Sequence, residues 1–123
     1  MKKNESWNSL LDTLKVDYLK ALEERIELLS NLTEKKDIEN LEHEYHKLKG
    51  TGKTYGFPAI SEVCNEMERI TRAHKKIPDH ILLAGPALLT YCLNTFRSTG
   101  ALNLEIHPDY IALKNTSKES FPK

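Results

Sequence analysis

The chain has 123 residues, with 18 Lys or Arg against 18 Asp or Glu and no formal net charge. That length supports one hydrophobic core and not two, and the charge balance excludes a globally cationic binder of nucleic acid or of an anionic membrane. Two cysteines, Cys64 and Cys92, are too few for a disulfide framework or a zinc site, and their apolar neighbours mark them as reduced core residues.

Met1-Lys2-Lys3 runs into the polar stretch Asn4 to Asn8 and not into the apolar core of a signal peptide. The longest uncharged run, Ile81 to Phe96, contains Pro86 and Asn94 and falls short of the roughly 20 apolar residues of a membrane span. A soluble, cytoplasmic, monomeric protein is the expectation, without nucleic-acid or membrane partners.

Few Gly or Pro before residue 50 and long stretches of Leu, Glu and Lys predict an all-α chain. From Trp7 to Leu32, the positions Leu11, Leu14, Tyr18, Leu22, Ile26 and Leu29 recur at three- and four-residue steps. This is one amphipathic helix, or two with a break near Val16-Asp17. Asp37 is suited to cap a second helix, Asp37 to Tyr55, whose apolar stripe holds Ile38, Leu41, Tyr45, Leu48 and Tyr55 with Gly52 in line. Gly56-Phe57-Pro58 then reads as a sharp reversal, glycine ending one helix and proline opening the next.

The third helix, about Pro58 to Lys75, buries Ile60, Val63, Cys64, Met67 and Ile70. A fourth, capped by Asp79 and reaching about Arg97, should be kinked or divided at Pro86, which lacks a backbone donor. Four such helices with short connections predict an antiparallel up-down four-helix bundle with an extra N-terminal helical segment. We place this bundle at residues 1–100 and a C-terminal extension at 101–123. Within the extension Leu102, Leu104, Ile106, Tyr110 and Ile111 are able to pack, while Lys114 to Lys123 reads as a polar, disordered tail.

The chemically informative stretch is His46 to Gly56. At about 100° per residue the core stripe of the second helix centres roughly 130° from His46, which directs the imidazole to solvent. Glu39, Glu42, Lys49, Gly50 and Lys53 lie within about 60° of it. Gly50 stands out, because a glycine inside an exposed helix costs about 1 kcal/mol relative to alanine. Its bare backbone one turn beyond His46 lets another protein's surface approach the ring. Near neutral pH an exposed imidazole offers a nitrogen lone pair for attack, and Lys49 supplies a point charge for the oxygens of a transferred phosphoryl group.

The run His46-x-x-Lys49-Gly50-Thr51-Gly52-x-x-Tyr55-Gly56 resembles the signature of histidine-containing phosphotransfer domains. That signature has an acceptor His, Lys at plus three, Gly at plus four, small residues at plus five and six, and a hydrophobic-Gly pair at plus nine and ten. Thr51, Gly52 and Tyr55 are mild departures, standing where Ser, Ala or Ser, and an aliphatic residue or Phe are common. The likeness extends in helix order and length from about Tyr18 to Arg97. It implies a four-helix bundle in which His46 accepts a phosphoryl group, Lys49 assists, and Gly50 opens the approach; Gly50 with Lys53, Glu42 and His43, which surround His46 on the exposed side of the helix, are expected to bind the partner. Partners implied are response-regulator receiver domains and a sensor or hybrid histidine kinase. The domain would be a phosphocarrier without turnover or cofactor of its own, the magnesium belonging to the receiver.

Other readings fit less well. Gly52-Lys53-Thr54 looks like the end of a P-loop, but that pattern needs glycine where Lys47 stands and a strand where a helix is predicted. His43 and His46, at i and i+3 with Glu39 and Glu42 nearby, lack the further ligands of a metal site, so no metal is expected. His74, His80 and His107 read as surface residues near turns. A helical interaction module that carries no phosphate is the alternative class, and it should have lost His46 or Lys49. No paired catalytic acids, nucleophile triad or cofactor loop marks a conventional enzyme.

Overall fold

The apolar three-four spacing at the start of the chain folds as one unbroken helix, α1 (Lys2–Glu34), with no interruption at Val16-Asp17. The computed structural model describes residues 2–98 and 102–118, without the side chains of 2–9 and 11. After α1 come α2 (Ile38–Thr54), α3 (Pro58–Ala73), α4 (Asp79–Arg97), a 3₁₀ turn at Leu104–Ile106, and α5 (Pro108–Lys118). No strand occurs among the described residues.

Each boundary has a local cause. Asp37 caps α2, its carboxylate accepting from the Asn40 amide at 3.3 Å. At the other end Gly56 adopts φ +85°, with the Phe57 amide bonding to the Gly52 carbonyl (2.8 Å) and the Gly56 amide to that of Lys53 (3.2 Å). This is the paired closure that turns the chain sharply out of a helix, and Pro58 then opens α3. Lys36 makes the same closure after α1 at φ +55°, a conformation that favours glycine.

Connections of three to five residues force α1 to α4 into an antiparallel bundle in which α1 packs on α2 and α4, and α3 on α2 and α4. Exposed ion pairs join both ends of α4 to α1 and the turn after it: Lys36 with Asp79 (3.3 Å) and Arg97 with Glu23 (2.8 Å). The core holds Leu22, Leu29, Leu41, Tyr45, Ile60, Val63, Cys64, Met67, Ile70, Leu88, Leu89 and Cys92. Both cysteines are free and buried, and burial pushes their thiols up, that of Cys92 to about 12.

Several expectations need correction. Asp79 is the first residue of α4 and Pro78 its cap; the aspartate contributes through the helix dipole and Lys36. Pro86 does not divide α4, which continues to Arg97 with Pro86 buried in the bundle, where packing outweighs the missing backbone bond. Tyr55 leaves the core stripe as the C-cap of α2 and stacks at the surface on Tyr18, centroids 5.1 Å apart. Leu14 is exposed, because α1 has already run past the end of the bundle there.

The chain beyond residue 102 also differs. Lys114 to Lys118 is helical, since α5 lies against α3 and α4 and buries Tyr110, Leu113 and Thr116. Ser117 hydrogen-bonds the buried Glu66 of α3. Residues 119–123 lie outside the described residues. His107 is half-buried: its ring meets Tyr91 at 4.7 Å and its Nδ1 accepts from the Asp109 amide as α5 begins.

Tyr45 and Gly85 fit each other across the bundle. The Tyr45 hydroxyl is buried without a hydrogen-bond partner, and a Cβ built on Gly85 would lie 2.2 Å from it. Gly85→Ala is therefore expected to destabilise the fold by about 1–3 kcal/mol, the usual cost of overpacking, despite alanine's higher helix propensity. Urea unfolding followed by circular dichroism checks this; an unchanged midpoint contradicts the tight fit.

Candidate functional site

The rotation of α2 is set by the core. Leu41, Tyr45 and Leu48 are buried on one side, so the next position after Tyr45, turned by about 100°, faces outward. His46 accordingly keeps 64% of its side chain exposed. The approach of α3 is set by Gly52, where an added Cβ would lie 3.1 Å from both Ile60 Cγ2 and the Ser61 amide nitrogen. Ser61 Oγ donates to the Lys49 carbonyl at 2.9 Å, tying the two helices beside the site.

This close approach brings Glu68 of α3 directly against His46. One carboxylate oxygen, Oε2, lies 2.5 Å from His46 Nδ1 and accepts from Arg72 Nη2 at 2.8 Å. The other, Oε1, accepts from Lys49 Nζ at 2.5 Å. Arg72 Nε continues the chain to Glu42 Oε2 at 3.3 Å. Only 2% of the Glu68 side chain is exposed.

Burial by itself would raise the Glu68 carboxyl, but hydrogen bonds and charges from Lys49 and His46 overrule it and hold the group below the usual glutamate range. An ionised carboxylate only accepts hydrogen bonds, so the proton of a neutral His46 sits on Nδ1. The lone pair is then on Nε2, the ring nitrogen that does not meet Glu68. Positive charge developing on the ring during attack at Nε2 falls beside Glu68.

Of the residues singled out from sequence, the structure brings His46, Lys49 and Glu42 into one network. Lys49 is pinned to Glu68 and is not a free point charge, though its ammonium has further protons to donate. Gly50 is open: a Cβ built there meets nothing within 4 Å. Lys53 is exposed in the last turn of α2, and His43 is exposed one turn before His46, outside the network. Among the described residues no group of three or more His, Cys, Asp or Glu is placed to hold a metal.

Sequence reading missed Glu68 and Arg72. The available signal was an acid beside the apolar stripe of α3, between Cys64 and Thr71, with a guanidinium four residues on. A carboxylate in that position is buried and must be paired.

Compared with known families, residues 13–99 match the Hpt domain model, which spans most of the chain. The chain belongs to the Hpt domain family. No curated protein and no solved structure matches it. Hpt domains are helical phosphocarrier modules of histidine phosphotransfer, and the match runs from within α1 to just past α4, ending before α5. No helix among the described residues of this Hpt domain is long and apolar enough to cross a membrane.

Glu68 gives the Hpt domain a pH signature. Its folded value is depressed, so the unfolded chain binds the proton more readily. The stabilisation is complete above the ordinary value of about 4.3 and is lost as pH falls through the lowered folded value. At pH 7 Glu68→Gln should cost about 1.5–3 kcal/mol, the worth of a hydrogen bond to a charged group. The gap between wild type and variant should be constant above the ordinary glutamate value and shrink as pH falls below it and through the lowered folded value. Urea unfolding at a series of pH values measures it; a pH-independent gap means that Glu68 is not held ionised.

Proposed function

We propose that His46 is the phosphoryl acceptor of this Hpt domain and relays the group to and from receiver-domain aspartates in a two-component phosphorelay. The observation that carries the reading is the His46-Glu68 contact through Nδ1 on a largely exposed ring, which leaves the Nε2 lone pair for attack. In the transfer the Nε2 lone pair attacks the phosphorus of a receiver's aspartyl phosphate, the N–P bond forms, and the aspartyl P–O bond breaks to release the carboxylate. The Nδ1 proton stays in place and Glu68 balances the charge on the ring. The reverse step returns the group to a receiver.

Phosphoryl transfer asks mainly for in-line positioning and neutralisation of charge, which this surface supplies without a triad or cofactor loop. Lys49, anchored through one of its protons, directs the others toward the incoming oxygens. Glu42, His43, Gly50 and Lys53 border the ring on α2 and form the part of the surface that a receiver covers. Magnesium belongs to the receiver in this scheme. Sensor or hybrid histidine kinases are the upstream partners, and the setting is the cytoplasm. The alternative, a bundle that docks without carrying phosphate, gives no reason for an exposed imidazole oriented by a buried carboxylate.

Incubation with a phosphorylated receiver domain should give an acid-labile, base-stable adduct on the chain. That adduct should be absent from His46→Gln, and label persisting in the variant removes the assignment. Gly50→Glu should fold normally, because nothing lies within 4 Å of the new Cβ. Its transfer should slow at least about tenfold, as a side chain and a charge enter the approach path. Circular dichroism and single-turnover transfer assays separate the two; wild-type transfer rates would exclude a steric role for Gly50.

A further inference from the structure

A phosphorylated imidazole must be able to leave again, and its ease of leaving depends on the ring's other nitrogen. With a proton on Nδ1, the ring departs from phosphorus as neutral imidazole. Without one it departs as imidazolate, a far stronger base and a poor leaving group, unless a general acid supplies the proton in the same step. A free phosphoimidazole gives up that proton near neutral pH, around the ordinary imidazole value of about 6.5. What holds the Nδ1 proton after phosphorylation therefore decides how well His46 serves as a donor.

Glu68 Oε2 lies 2.5 Å from Nδ1, and only 2% of the Glu68 side chain is exposed. Loss of the ring proton would set the Nδ1 lone pair against a carboxylate oxygen, two acceptors with no hydrogen between them and little water to replace it. Transfer of the proton to Glu68 is opposed in turn, because Lys49 Nζ on Oε1 and Arg72 Nη2 on Oε2 both stabilise the ionised carboxylate. The remaining charges do not undo this. Arg72 Nε is held by Glu42 of α2, and Arg25 of α1, the other helix packed on α2, is paired with Glu44, as is Lys47. Glu39, His43 and Lys53 of α2 and Arg69 of α3 are exposed, so water and salt screen them.

Given His46 as the acceptor, the reading on which this rests, we infer that Glu68 is a positioning residue for the outward half of the relay. It keeps Nδ1 of phosphorylated His46 protonated, so that the ring remains a donor from neutral into mildly alkaline pH. In that transfer an oxygen of the receiver's aspartate forms the new P–O bond, and the Nε2–P bond breaks with its electron pair returning to Nε2. The ring is released neutral, its Nδ1–H still on Glu68, and no proton is taken up or given off. A neutral acceptor in place of Glu68 would bond the ring equally well before phosphorylation. It would lack the charge that retains the proton afterwards.

Phosphorus NMR of the phosphorylated full chain, titrated from about pH 5.5 to about pH 9 to bracket the ordinary imidazole value, tests the inference. Phosphoramidate, a small-molecule donor, loads histidine without a receiver, and the His46 resonance is the one missing from His46→Gln. In wild type that resonance should show no inflection between about pH 6 and about pH 8, whereas in Glu68→Gln it should shift with a midpoint near about 6.5. The ratio of wild-type to variant transfer rates onto a receiver should then rise about tenfold per pH unit above about pH 7, the slope for losing one proton; the receiver's own pH dependence cancels in it. A wild-type inflection near about 6.5 overturns the inference even if the variant fails to fold. So does a rate ratio that is the same at every pH, which is what a merely structural role for Glu68 predicts. Failure of a receiver to exchange with a wild-type chain whose resonance stays flat removes the phosphotransfer reading instead, and leaves the proton on Nδ1.

Discussion

A buried carboxylate between two helices is the constraint on which the site depends. Removing the Glu68 carboxylate from water costs several kcal/mol, and it stays ionised because three cationic or ring donors converge on its two oxygens. Two of them come from α2 and one from α3 itself, so the carboxylate holds one helix to the other at a single register. Slippage of α2 by one residue would rotate His46 by about 100° and leave the charge short of partners. The reactive orientation of the ring and the alignment of the bundle thus share one cause.

Much of this was legible in the chain. Helix order, the Gly56-Phe57-Pro58 reversal and the outward phase of His46 follow from apolar spacing and turn chemistry, which are local and survive folding. Gly50 was recognisable as unexplained because exposure and a helix interior are both readable from period. What was not legible depends on pairings between distant segments. Glu68 is 22 positions from His46; its place beside the apolar stripe of α3 marks it as buried, as Glu66 is, but nothing local names the partner it meets. The same holds for Tyr45 with Gly85, and for α5, whose weak apolar pattern gains its helix from the α3–α4 surface already present. Tyr55 was misplaced for the opposite reason: its phase is right for the core, but the helix ends there.

The glycines of α2 and of the turn that ends it show how one residue type serves different demands within seven residues. Gly52 is small because α3 passes against it, and Gly56 because the chain turns left-handed there. Gly50 meets neither demand, and its cost of about 1 kcal/mol in helix propensity buys no packing. Residues that weaken a fold without a compensating contact mark places where something outside the fold must fit.

The contact between α2 and α3 also has a kinetic consequence. With Gly52 against Ile60 and the Ser61 hydroxyl on the Lys49 carbonyl, sliding of α2 along α3, a motion of the microsecond to millisecond class, would have to break that bond and crowd Ile60. Adjustment during an encounter is left to the rotamers of Lys49, Arg72 and the exposed side chains, which relax in picoseconds to nanoseconds. The surface around His46 is thereby set by a closely packed helix pair, with only its side chains left to adjust to a contact.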